Sequence, residues 1–198
     1  MSVGGMSFRD TGVGAMGFEL AVWRESEPIG RALARERYRR AEAPLLKERF
    51  PDEDVSGGLI RIGADRVDEV SNAVFAFARD EGLVCYDPQR DLVHNREPLG
   101  AYPGIQLHTG DGMVVTDPDL GLVHDALGTM SAQNPFVALV LYGRHFMQVS
   151  PDGAFELEFK ESGVIRATRI DELNEVRACF LAYASGDRSF LEHFQWSS

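Results

Sequence analysis

Apolar positions along the chain recur with two periods. From Val67 to Ala78 they step by three and four (Val67, Val70, Val74, Phe77, Ala78), which predicts a helix with one buried face. Over residues 154–159, Phe155, Leu157 and Phe159 alternate with Glu156 and Glu158, the pattern of a strand with one dry and one wet face. Extending the two periods assigns most of the first half. Phe18 to Arg24 reads as the first strand, and Pro28 suits the first turn of a helix. The stretch to Phe50, rich in Ala, Leu, Arg and Glu, continues that helix, with Pro44 breaking or restarting it. Residues 51–58 (PDEDVSGG) read as a loop and Leu59 to Ile62 as a short strand. Asp65 is placed to cap the following helix and Gly82 to end it. Leu83 to Tyr86 is then a strand, Asp87-Pro88 a turn, and Leu92 to His94 a paired strand.

Residues 95–112 carry Gly, Pro and polar side chains and predict a long loop or linker. Pro118 to Thr129 reads as a helix with Asp117 near its start. From Pro135 onward, FVALVLYG, HFMQVS, AFELEF and VIRATR are four strand-like runs divided by Gly143-Arg144, Pro151-Asp152-Gly153 and Ser162-Gly163, which predicts an antiparallel meander. Asp171 is placed to cap a last helix whose apolar face is Leu173, Val176, Phe180 and Tyr183. Gly186 ends it, and the aromatic tail FLEHFQW packs back on the sheet. The fold class is α+β: an antiparallel sheet with flanking helices, an N-terminal α/β portion followed by a C-terminal β-meander plus helix. The organisation expected is a flexible tail over 1–16, an N-terminal portion over 17–110 and a C-terminal portion over 111–198, the last two either separate or sharing one core.

Composition narrows the classes. At 198 residues and 44% hydrophobic content the chain is long enough to bury a core without staples. Its net charge of -11 argues against duplex DNA, whose phosphates need clustered Lys and Arg, and against an anionic membrane surface. The residues from 111 onward hold 13 Asp and Glu against 6 Lys and Arg, so the C-terminal portion is the more acidic. Arg31, Arg35, Arg37, Arg39 and Arg40 form the one basic concentration, interspersed with Glu36 and Glu42, as on a solvated helix face. The two cysteines, Cys85 and Cys179, sit in apolar runs and read as buried free thiols, with a disulfide between them left open. No run of about 20 apolar residues and no signal-peptide pattern is found, so a cytoplasmic location is expected.

A search for chemistry returns little. His94, His108, His124, His145 and His193 have no second ligand at zinc spacing. Asp117, Asp119, Gly121 and Asp125 echo a calcium loop, with the glycine early and the terminal glutamate missing. Gly12, Gly14 and Gly17 match a dinucleotide fingerprint that stands before a strand rather than after one. No nucleophile elbow, P-loop or zinc-protease helix occurs. No catalytic, cofactor-binding or metal-ligating residue is therefore predicted.

Two stretches carry a resemblance. GLVCYDPQ, after the helix RVDEVSNAVFAFARDE, resembles a motif of poorly characterised bacterial proteins that open with a strand similar to FELAVW. NPFVALVLYG, HFMQVS, AFELEF and ELNEVRACFLAYASGD, closing at Trp196, resemble immunity proteins of bacterial polymorphic toxin systems. That resemblance implies a non-enzymatic cytoplasmic protein that binds and neutralises a toxin domain. Many such domains are basic, so an acidic inhibitor can be steered onto them. The contacts expected from charge are Asp111, Asp117, Asp119 and Asp125 in loops and Glu156, Glu158 and Glu161 on the sheet edge. Two rivals remain open: an enzyme with a cleft between the portions, and a module that self-associates through an edge strand.

Overall fold

The computed structural model describes residues 17–94 and 97–197; the expected tail over 1–16 lies outside the described residues. Strand β1 (Phe18–Trp23) forms as its β-rich sequence requires and lies at the centre of a five-stranded sheet. Its neighbours are β3 (Leu59–Ile62) and β4 (Val84–Asp87), with β2 (Asp54–Ser56) and β5 (Leu92–His94) at the edges, and every pairing is antiparallel. The segment expected to be a loop thus supplies β2. Its turn closes at Gly58, whose N–H donates to the Ala41 carbonyl and whose carbonyl accepts from Val22, both at 2.7 Å.

Alternation along β1 sends Leu20 and Val22 to one face and Ala21 and Trp23 to the other. The second face is covered by α1 (Arg31–Arg37) and the 3-10 turn Tyr38–Arg40, through Ala34 and Tyr38. The first face is covered by α3 (Val67–Asp80), which buries Val70, Val74, Phe75 and Ala78, and by Leu46 of α2 (Pro44–Arg49). Pro44 does restart the helix, as its ring demands. Asp65 does not cap α3: the residue before the helix is Arg66, and no side chain accepts there.

The second sheet has six strands, ordered β11 (Val164–Ile170), β10 (Ala154–Glu161), β9 (His145–Asp152), β8 (Val137–Leu141), β6 (Gln106–Thr109) and β7 (Val114–Thr116). The expected meander forms its larger part. The hairpin of β6 and β7 extends it, and residue 110 falls within that hairpin's turn. The inner face, Leu107, Leu139, Met147, Leu157 and Phe159, packs on Val176, Phe180 and Tyr183 of α5 (Leu173–Ala184) and on Leu122 and Val123 of α4 (Leu120–Ala126). Asp171 does not cap α5, which begins after Glu172 with no side-chain cap. The short helix α6 (Phe190–His193) and Trp196 fold back on this core, and Ser197 bridges to Ala167 on the outer edge of β11. One continuous apolar cluster runs from Leu20 to Phe190 through both sheets. Among the described residues no helix is long and apolar enough to cross a membrane. Both cysteines are buried free thiols.

Candidate functional site

The two sheets meet around a cavity of about 260 Å³ lined by α3, the end of β5, segment 97–99, β7 and the start of α4. Its apolar wall is Phe75, Ala78, Leu83, Val115 and Leu122. Its polar residues come from sequence-distant points. His94 ends β5, where Cys85 is its partner across the strands. Asp119 sits immediately before α4, where its side chain accepts from the Leu122 N–H at 2.9 Å. That is the usual use of an aspartate at a helix start. Segment 97–99 is held against this point by a bridge between Leu99 and Asp119 and by the Leu120 N–H donating to the Pro98 carbonyl at 3.1 Å.

Burial governs the electrostatics. His94 is 8% exposed, and its ring stacks on Phe75 with centroids 4.1 Å apart. Burial, with the nearby charge of Arg90, pushes its pKa down to about 3, so the ring is neutral. Its Nε2 is buried without a hydrogen-bond partner among the described residues. Asp119 is 5% exposed, and burial pushes its carboxyl up to about 7. The Leu122 N–H opposes that rise and the charge of Glu97 adds to it. Arg79 is the one cation among the described lining residues. Its guanidinium donates to the Thr116 carbonyl at 3.1 Å, pairs with Asp80 at 3.3 Å and lies 3.8 Å from Asp117.

The expected contact residues do not form one patch. Asp111 accepts from Arg90 at 2.7 Å and from Thr109. Asp117 accepts from the Gly104 N–H at 2.6 Å. Asp119 is buried rather than exposed, because it caps α4 beneath segment 97–99. Asp125 lies in α4 rather than a loop, 3.8 Å from Arg31. Glu161 accepts from Arg188 at 3.0 Å on the inner side of the sheet. Arg188 also donates to Tyr102 at 2.8 Å, and its guanidinium lies over the rings of Tyr102, Phe159 and Tyr183. Glu156 and Glu158 lie on the outer face of β10, which has neighbours on both sides and is no edge. Among the described residues neither has a side-chain hydrogen bond or ion pair.

That outer face is a second candidate surface. Two cross-strand rows lie on it: Ile165, Lys160, Phe146, Val140, Gln106 and Thr116, and beside it Ala167, Glu158, Gln148, Ala138, His108 and Val114. Ala138, Val140, Phe146 and Ile165 belong to neither apolar cluster; Ala138 is buried at 4% exposed and Ile165 is 48% exposed. Tyr142, in the turn between β8 and β9, is 68% exposed, with its ring 6.1 Å from His108.

Among the described residues no group of three or more His, Cys, Asp or Glu is placed to hold a metal ion. No protein-family model matches the chain, and neither curated proteins nor solved structures include a match to it. Asp119 is expected from sequence as an exposed partner contact and His94 as a histidine without a second ligand; that both line one cavity is not expected from sequence. The Asp-Leu step into an apolar run signals a capped helix at Asp119, but nothing local signals that the carboxyl is buried opposite a histidine from another sheet.

Proposed function

We propose that the chain is a binding protein of the immunity type that docks a basic partner domain on the outer face of its six-stranded sheet. The observation that carries this reading is the uncovered face itself. It combines partly exposed apolar residues (Val140, Phe146, Ile165), an exposed tyrosine of the kind enriched in interface hot spots, and two carboxylates, Glu156 and Glu158, with no partner among the described residues. The net charge of -11 supplies long-range attraction to a basic domain, and the apolar row supplies burial once the surfaces meet. The carboxylates tied up in internal pairs contribute to the field and not to contacts.

The test starts from a partner captured from the native lysate, then purified. It should be toxic when expressed alone and neutralised by this chain. Reversing both charges, Glu156→Lys with Glu158→Lys, should slow association several-fold at low salt and flatten its salt dependence, and Tyr142→Ala should speed dissociation. A partner that is not neutralised, or wild-type kinetics in these variants, overturns the reading.

A second reading, an enzyme working between the sheets, is favoured by one observation: the cavity holds a carboxyl that titrates near neutrality. A turnover that appears against generic substrates and is lost in Asp119→Asn, with the fold intact, would put this reading first.

A further inference from the structure

We propose that the cavity between the two sheets is a binding site for a small amine, a protonated amino group carried on a compact apolar body. The size sets the first limit. About 260 Å³ is room for roughly nine water-sized groups at ~30 Å³ each, less than a drug-sized ligand needs. The wall sets the second. Phe75, Leu83, Val115 and Leu122 offer a hydrocarbon surface, and a ligand without an apolar body would leave it in contact with water.

The polar groups set the third limit, and they favour a cation. Glu97, Asp117 and Asp119 line the cavity, and Arg79, the single lining guanidinium among the described residues, is already engaged by Thr116, Asp80 and Asp117. A carboxylate or phosphate ligand would meet Glu97, Asp117 and, above about pH 7, an ionised Asp119, with no free donor cation among the described residues. An ammonium meets acceptors. The Asp119 carboxyl accepts from the Leu122 N–H, and the backbone N–H groups of Gly121 and of Asp119 itself are also directed at it, while a carboxylate has about four lone-pair positions in all. The second and independent pointer is His94. Its neutral ring forms part of the cavity wall, and its Nε2 is buried with no partner among the described residues. Such an orphan costs about 1–3 kcal/mol unless a ligand or water satisfies it. With the ring proton on Nδ1, Nε2 keeps an unused lone pair within the cavity wall, and a ligand N–H reaches it only by displacing the side chains that close it off from water.

The rim fits the same occupant. Leu99, 48% exposed, lies over the mouth and is bridged to Asp119, so the residue carrying the buried carboxyl also anchors the apolar lip. Glu156 and Glu158 are not part of this wall, so the amine site and the docking face stand or fall separately.

The experiment is an NMR titration of the full chain with three ligands of one shape and different charge: benzylamine, benzyl alcohol and phenylacetate, each to millimolar concentration. Benzylamine should give saturable shifts at the methyl groups of Leu83, Val115 and Leu122, and the other two should bind about tenfold more weakly or not at all. Asp119→Asn keeps an oxygen to cap α4 and removes the charge, and it should weaken benzylamine by about tenfold or more. Glu97→Gln, at an exposed position that folding does not depend on, should weaken it several-fold. Absence of saturable shifts at those methyls, phenylacetate binding as tightly as benzylamine, or full affinity in both variants would overturn the proposal.

Discussion

His94 and Asp119 should make unfolding a proton transfer, and replacing either residue should expose the other. In water an aspartate titrates near 3.8 and a histidine near 6.5, so between those values the unfolded chain carries the pair as carboxylate and imidazolium. In the fold the order reverses. Asp119 holds its proton up to about 7 and His94 refuses one down to about 3, so both are neutral. The raised carboxyl contributes stability that is present below its unfolded pKa and lost as pH rises toward 7. At about 1.4 kcal/mol per pH unit the loss is about 4 kcal/mol. The depressed histidine works the other way: its stability is present above 6.5 and lost as pH falls toward 3, about 5 kcal/mol in all. From about pH 4 to 6.5 the two slopes cancel, because folding moves a proton from His94 to Asp119 with no net uptake. Their joint contribution is nearly flat with pH. In Asp119→Asn the capping oxygen stays and the titration goes, so the variant should match wild type near pH 4 and exceed it by up to about 4 kcal/mol near pH 8. His94→Phe should gain toward acid by a similar amount. Urea denaturation of the three proteins across that range measures the differences directly. A variant-minus-wild-type difference that stays constant with pH would refute the argument, since no burial-driven titration would then be present.

Three further outcomes follow from packing. Gly58→Ala places a Cβ 2.2 Å from the Val22 carbonyl oxygen and 2.7 Å from the Ala41 carbonyl carbon, both backbone, and should cost about 3 kcal/mol or more in a thermal melt. Arg188→Ala removes the bonds to Glu161 and Tyr102 and the guanidinium packed among three rings, and should cost about 2–3 kcal/mol by urea denaturation. Burial raises both thiols, Cys179 to about 11 and Cys85 well above its usual value, so iodoacetamide should leave the native chain unmodified and label both cysteines once urea unfolds it.

The fold was legible wherever one period ran unbroken. The α3 stripe and the alternation of Phe155, Leu157 and Phe159 each fixed an element and its buried face, because one side of each had to be dry. It was not legible where pairing came from a distant partner. Asp54–Ser56 and Gln106–Thr109 are short, polar and turn-flanked, and each becomes a strand only because β3 or β8 offers its edge. The caps expected at Asp65 and Asp171 failed for a related reason. A competent residue type shows what a position can do, not the approach angle of the chain, and both helices begin two residues later without a side-chain acceptor. The charge count placed acidity in the second half correctly but could not place it in space. Asp111, Asp117, Asp125 and Glu161 each meet an arginine that sequence does not associate with them, while Glu156 and Glu158 have no ion pair among the described residues.

Asp119 is where the structural and functional arguments meet. As a helix cap alone, asparagine at this position would do the same work at any pH, since its side-chain oxygen accepts the Leu122 N–H equally well. The carboxyl adds a stability cost at neutral pH and, for the isolated fold, returns nothing for it. His94 has the same character: phenylalanine would stack on Phe75 without leaving a nitrogen unpaired. Two residues that each break a local rule of stability, on the wall of one cavity, mark the place where a ligand rather than the fold accounts for the choice. In the proposed site an amine's charge would offset the burial penalty of an ionised Asp119, and the amine brings an N–H donor to a cavity whose wall includes His94. Stability near pH 8 should therefore rise more steeply with benzylamine in wild type than in Asp119→Asn, because only wild type has the penalty for the ligand to relieve.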